Sequence, residues 1–481
     1  MKKYLSLALL AAILLQTAAC GGTDAPAADD TTVPETTTAP ETTAPYVPAE
    51  LDYGGANVSF FIREEGGSMP EFYVEEQTGE IINDAIYDRN RKVEEDLNVK
   101  FTYREEKNSW NERKTFAQMI SQSILAGDAA YDIVAGYSMS LATLAASGML
   151  CDMMETEYLD FEKPWWSDNL TEQATVNGKL YIATGDISTF ALYYMFGTYF
   201  NKDMITKFNL ESPYDLVESG KWTLDKMISM SKGVYQDLNG DDKKDEQDQH
   251  GMAIPYVCID QFYWGSGLHT TELDDNGTPY ISPDLSSEKT VDLVAKLCTL
   301  FHSDPDAWIV ADGIRNPFLD GRALFTNQAV SLGNSLRDVK FGYGMVPTPK
   351  ADEKQEDYVT IMSFPYTLYG IPLDAKDPDR AAAVLEALAS EGHKNVTPAV
   401  FEITMKVKYS RDEESSQVYD IIRGSMVSDF GRIFNNDLGS KTYSLFRNAV
   451  RNNDRGWMST YDSNKESLNA GLEALMEKFK D

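Results

Sequence analysis

The strongest constraint on this chain's fold is an alternation of strand-like and helix-like runs that begins near residue 58. Val58-Ser59-Phe60-Phe61-Ile62 reads as a strand. Ile82, Ile86, Val93 and Leu97 then fall on one helical face. Val99 to Tyr103 reads as a second strand, and Phe116, Met119, Ile120 and Ile124 mark a second helix. Ile133-Val134-Ala135 is a short buried strand, followed by a turn at Gly136 and a helix from about Ser140. Strands alternating with helices in this way predict a parallel sheet covered by helices. In such sheets ligands sit beyond the carboxyl ends of the strands. Arg63-Glu64-Glu65 and Gly136-Tyr137-Ser138 occupy two of those ends, which makes Arg63 and Tyr137 candidate ligand contacts.

The stretch from about Leu51 to Asp481 is too long for one typical core, so two lobes are expected. The net charge of the whole chain is -33, from 43 basic and 76 acidic residues, which disfavours nucleic acid and anionic membrane surfaces as partners. It also argues weakly against a strongly anionic ligand. Cys151, Cys258 and Cys298 form no disulfide framework and read as buried small apolar residues.

The first residues have a different character. Met1-Lys2-Lys3 is positive, Leu5 to Leu15 is a short apolar run, and Thr17-Ala18-Ala19 leads into Cys20. This is the pattern of a secretory signal over residues 1–20, and the run is too short to span a membrane. The cysteine after small residues resembles the lipobox of bacterial lipoproteins, with Thr17 where Leu is usual. The resemblance implies a diacylglyceryl group on Cys20 and an address on the outer face of the cell membrane. Residues 21–50 are mostly Gly, Thr, Pro, Ala, Asp and Glu, too poor in apolar bulk to repay ordering entropy. They read as a disordered stalk.

Further along, Tyr131-Asp132-Ile133-Val134 with Gly148-Met149-Leu150, Asn177-Gly178-Lys179-Leu180-Tyr181, Tyr199-Phe200-Asn201-Lys202-Asp203 with Lys221-Trp222-Thr223, Phe318 to Ala323, Tyr343 to Pro347 and Asp377 to Ala381 follow one another in order. Together they resemble the bacterial extracellular solute-binding proteins of family 1, the maltose-binding-like cluster serving ABC-type sugar importers. The resemblance covers roughly residues 55 to 480. It implies the two-lobed, periplasmic-binding-protein-like type II α/β fold, each lobe a sheet flanked by helices, with the ligand cleft between lobes. Crossings are expected near Thr184-Gly185-Asp186, near Tyr358 to Phe364 and near residue 400. The first lobe would then be 51–186 plus 358–405, and the second 187–357 plus 406–481. It further implies a monomer that binds a small-molecule carbohydrate, closes around it and delivers it to the transmembrane subunits of an ABC permease, with no catalysis of its own.

A sugar offers apolar C–H faces and a hydroxyl rim, for which aromatic rings and Asp, Asn or Arg are suited. Besides Arg63 and Tyr137, the candidates are Asp186 beside the hinge, Tyr366 near the return crossing, and Tyr263 and Trp264. The last two follow Pro255-Tyr256, where the family places a stacking aromatic. Trp165 and Trp166, just before the Asn177 hairpin, are expected to pack rather than to touch ligand.

One loop carries its own chemistry. From Asp237 to Asp248, oxygen side chains fall at EF-hand-like positions 1, 3, 5, 9 and 12 (Asp237, Asn239, Asp241, Asp245, Asp248), and Lys243 can offer its carbonyl at 7. Asp242 replaces the usual Gly at 6 and Asp248 the usual Glu at 12. The expectation is a structural Ca²⁺ site remote from the ligand; the bland alternative is a solvated acidic loop. Competing readings of the whole chain are a surface-anchored glycoside-active enzyme and a binder of peptides or another non-sugar solute. No Gly-x-Ser-x-Gly, HExxH, CxxC or Walker-type loop appears, and His250, His269, His302 and His393 lack metal-ligand spacing.

Overall fold

The computed structural model describes residues 47–480 apart from 49, 65–68 and 410–412. The signal, Cys20 and nearly all of the stalk expected over 21–50 lie outside the described residues. Val47, at the end of that stretch, is buried against the first core, so ordered packing begins slightly before Leu51.

Two sheets organise the described chain. Numbering only their strands, these are β1 (Ala56–Arg63), β2 (Val99–Glu106), β3 (Ile133–Tyr137), β4 (Phe196–Asn201), β5 (His250–Pro255), β6 (Ala307–Val310), β7 (Ala323–Ala329), β8 (Tyr343–Val346) and β9 (Thr367–Gly370). The first sheet has the order β9-β3-β1-β2, and the second β8-β4-β7-β5-β6. β1 pairs in parallel with both β2 and β3, as the strand–helix alternation requires, and β9 runs antiparallel to β3. β1 is covered on both faces, which is why Phe60-Phe61-Ile62 is a continuous apolar run rather than an alternating one. Helices α1 (Ile81–Asp96), α2 (Arg113–Ala126), α3 (Ser138–Ala146) and α4 (Pro378–Glu391) flank it. α1 buries Ile86 and Val93 as the pattern predicts, but also Arg89 and Asn90.

Strands 56–63, 99–106, 133–137 and 367–370 share one sheet, and every strand from 196 to 346 in the second sheet lies between the crossings. The crossing segments touch one another. Met195 bridges Met362, and the Ser363 N–H donates to the Tyr194 carbonyl at 2.8 Å. Gly392 lies so close to the first crossing that a Cβ there would sit 2.2 Å from the Asp186 carbonyl oxygen. The last helix, α5 (Trp457–Lys478), does not stay with one lobe. Trp457, Tyr461 and Leu468 pack in the second core, whereas Leu472, Leu475 and the following Phe479 pack in the first.

Candidate functional site

The two lobes meet at the carboxyl ends of their parallel strands. On the first lobe, Tyr137 ends β3; its backbone N–H donates to Asn108 Oδ1 at 2.6 Å, which pins the strand end to the loop preceding α2. The Tyr137 and Met139 side chains pack with residues of the second core, so this face is in contact with the opposite lobe. Burial pushes the Tyr137 hydroxyl well above its ordinary value, with Arg113, Arg432 and Arg63 opposing that shift. Tyr366, on the return crossing, is pushed up to about 12 by burial, against the pull of Arg432 and a bond with Ser138.

The second lobe answers with a cluster around Asp260, which lies just beyond β5. Arg447 donates to Asp260 from Nε at 2.7 Å and again from its terminal nitrogen. Arg432 donates to the same carboxylate at 3.3 Å and to the Met362 carbonyl of the return crossing at 3.0 Å. The Arg432 guanidinium lies 3.9 Å from the Phe364 ring centroid and 4.6 Å from that of Trp264. Arg447 covers Tyr443 at 4.4 Å, and Tyr443 meets Phe364 edge to face at 5.0 Å. Arg451 covers the half-buried Tyr256 at 4.6 Å, and on the other lip Arg113 covers the exposed Trp110 at 3.7 Å. Aromatic rings covered by planar hydrogen-bond donors, supplied by both lobes, suit a ligand with apolar faces and a polar rim.

Arg63, Tyr137, Trp264 and Tyr366 come together at this interlobe face, where the terminal nitrogens of Arg63 bond to the protein. It donates to the Pro365 carbonyl at 2.8 Å and Thr367 Oγ1 at 2.7 Å, pairs with Glu71 at 3.4 Å, and lies 3.9 Å from the Phe190 ring. Glu71 in turn is fully buried and accepts from Ser188, from Thr367 at 2.7 Å and from the Phe190 N–H at 3.2 Å. This pair braces the crossings, and it replaces the surface pairing with Glu64 or Glu65 that the sequence suggested for Arg63. Tyr263 is likewise engaged within the protein. It is 1% exposed, donates to the His269 carbonyl at 3.1 Å and packs on Phe446, inside the second core. Trp264 is also buried, with its indole N–H donated to Asp429 at 3.1 Å, and meets the interface through Arg432.

Asp186 lies elsewhere, on the first crossing, where it pairs with His393 and, at 3.7 Å, with Arg423. It lines a groove of about 440 Å³ between the lobes together with Trp165, Trp166, Met362, Phe401 and Arg423. Both tryptophans are buried, as expected, and their indole N–H groups donate to the two oxygens of Glu386 at 2.9 Å each. Burial pushes the Glu386 carboxyl up to about 7 against those bonds.

Sequence reasoning missed Asp260, Arg432, Tyr443 and Arg447. A signal existed for the last: Tyr443, Phe446, Arg447 and Val450 share one helical stripe, all buried. An arginine on an apolar stripe needs a partner, and only the fold reveals that it is Asp260.

The Asp237–Asp248 loop turns through a left-handed residue at its sixth position. Asp242, in the position usually held by Gly, has φ +59°. Asp237 accepts from the backbone N–H groups of Gly240 and Asp242, which hold its carboxyl below the usual range. Asn239, Asp241 and Asp245 accept from Asp241, Lys243 and Gln247. The Lys243 carbonyl accepts from the Tyr235 hydroxyl at 3.4 Å. Asp248 is fully buried and accepts from Leu238, Tyr235 and Asp245, closing the loop from inside. Three carboxylate oxygens of this loop do not come within 4.8 Å of one another; among the described residues a different group does.

No known protein-family profile matches the chain, and no curated protein matches it by sequence. Solved structures do match. A sugar transporter from Rhizobium etli in an open conformation superposes with a TM-score of 0.58 at 13% identity, covering 87% of this chain and 99% of that one. An ABC substrate-binding protein from Listeria monocytogenes in complex with cycloalternan gives 0.56 at 13% identity, over 87% and 99%. A maltose/maltodextrin-binding domain from Bdellovibrio bacteriovorus bound to maltotriose gives 0.53 at 14% identity, over 89% and 100%. The fold is therefore the two-lobed α/β fold of ABC-transporter substrate-binding proteins.

Proposed function

We propose that this protein is a lipid-anchored, extracellular solute-binding protein that captures a carbohydrate, an oligosaccharide in size, between its lobes and passes it unaltered to an ABC permease. The observation that carries the reading is the interlobe face itself. Rings and planar donors from both lobes (Tyr137, Tyr366, Phe364, Trp264, Tyr443, Arg432, Arg447) converge at the carboxyl ends of the strands. A ligand touching both halves stabilises the closed arrangement only through the contacts it gains there. The structural neighbours that are named with bound cycloalternan or maltotriose support the sugar class. Capture in this way needs no catalysis, which sets the reading apart from the glycosidase alternative.

The anchor at Cys20 and the stalk rest on the sequence pattern, and the monomeric state and the permease partner on what the family resemblance implies. No described helix is long and apolar enough to cross a membrane. We also propose a structural Ca²⁺ in the Asp237–Asp248 loop, held by Asp237, Asn239, Asp241, the Lys243 carbonyl and Asp245, with Asp248 as clasp. The left-handed Asp242 supports it, and binding would have to draw the carboxylates closer than they stand.

The test is a panel of neutral and charged oligosaccharides, with peptides as controls, read by melting temperature and by chromatography of the ligand afterwards. A clear upward shift with intact sugar is the expected result. Turnover of the sugar, or a response to peptides alone, would sink the proposal.

A further inference from the structure

We infer that the protein carries a metal site of zinc type, made by His269, Glu272 and Asp284. Each offers one ligand atom, and these atoms lie within 4.8 Å of one another. His269 Nδ1 stands 3.5 Å from Asp284 Oδ2. Ligands about 2.0–2.2 Å from a tetrahedral ion are separated by roughly 3.4 Å, so the trio needs only a modest contraction to close on one. An imidazole with two carboxylates selects a divalent transition ion such as Zn²⁺, since Ca²⁺ takes six to eight oxygens. Two carboxylates neutralise the ion's charge.

The ligands are held from behind, as a metal site requires. The residues span a short hairpin of strands Thr271–Leu273 and Pro279–Ile281 and the helical turn Pro283–Ser286. Glu272 stands directly across the hairpin from Tyr280, whose hydroxyl donates to one Glu272 oxygen at 2.6 Å, while the fully buried Ser282 hydroxyl donates to the other. Asp284 Oδ2 accepts the His269 backbone N–H at 2.9 Å, and the Tyr263 hydroxyl fixes the His269 carbonyl. The His269 and Asp284 side chains keep 42% and 28% of their surface exposed, so an ion can reach them from solvent. The site would also act at a distance from itself. Thr270 and Thr271 donate to Asp429, which holds the Trp264 indole N–H, so an ion that stiffens the hairpin stiffens the floor under Trp264.

The experiment uses the full-length protein, stripped of metal and then given excess CaCl₂ to saturate the acidic loop. ZnCl₂ is titrated by calorimetry, and Co²⁺ serves as the spectroscopic probe. Expected are one tightly held Zn²⁺ per chain, visible d–d absorption of four-coordinate Co²⁺, and a raised melting temperature. His269→Gln or Glu272→Gln should weaken binding at least tenfold, and Tyr280→Phe by roughly ten- to a hundredfold through the outer shell. Asp241→Asn should leave it untouched. His269 is partly exposed and its Gln variant should fold; Tyr280→Phe, at an exposed position, gives an independent reading. Uptake only at millimolar Zn²⁺, displacement by excess Ca²⁺, or uptake that survives both His269→Gln and Glu272→Gln would overturn the site.

Discussion

Buried carboxylates serve two different places where the lobes meet. At the hinge, Glu71 accepts from the crossing segments and the strand end beside them: Ser188, Phe190, Thr367 and Arg63. Arg89 reinforces this by donating to the Ile187 carbonyl at 3.0 Å. Near the cleft, Asp260 is shared by two arginines of the C-terminal helices, and those arginines in turn cover Trp264, Phe364, Tyr443 and Tyr256. Both arrangements pair a buried carboxylate with arginine. The hinge carboxylate joins segments that must stay together in any conformation, whereas the cleft carboxylate orients side chains that a ligand could meet.

The largest way to break this contrast is Asp260→Ala. It leaves Arg432 and Arg447 buried around no carboxylate, and about 3–5 kcal/mol of stability should be lost in urea unfolding, together with ligand affinity. A loss of affinity without loss of stability would show that Asp260 is not the structural partner of these arginines.

Next is Glu386, behind the hinge-side groove. Its folded pKa is raised to about 7 by burial, so the folded state holds a proton that the unfolded chain has already released. Stability from this group is therefore present below about pH 4.5 and falls as pH rises toward and through 7, by on the order of 3 kcal/mol at most. Glu386→Gln should flatten that part of the urea midpoint–pH curve relative to the parent, and tryptophan fluorescence should lose a transition there. Identical curves would show that this carboxyl does not titrate in the window.

Gly392→Ala sharpens the hinge side. Its Cβ would collide with the Asp186 carbonyl, so about 1–3 kcal/mol of overpacking strain is expected, with altered closure kinetics. The smallest effect separates a core tyrosine from a cleft tyrosine. Tyr263→Phe removes one hydrogen bond, about 1 kcal/mol, and should leave oligosaccharide affinity unchanged. Tyr443→Phe should cost less stability and change affinity more; the reverse ranking would move the cleft away from Tyr443.

Much of this was written in local pattern. The strand–helix alternation from Val58 to Ser140 determined a parallel sheet, because a continuous apolar run and a 3.6-residue stripe each have one way to bury themselves. The ends of those strands led to Tyr137, and the return crossing to Tyr366. The partner of each polar side chain was not local. Arg63 faced Glu64 and Glu65 in the chain, yet its carboxylate is Glu71 and its other acceptors lie some three hundred residues away at Pro365 and Thr367. Arg432 and Arg447 likewise find Asp260 only after the chain has crossed between lobes more than once. Burial patterns are set by sequence periodicity, which any short window contains. Pairing of charges depends on which distant segments the packed lobes bring within about 3 Å, and that was decided by the tertiary structure alone.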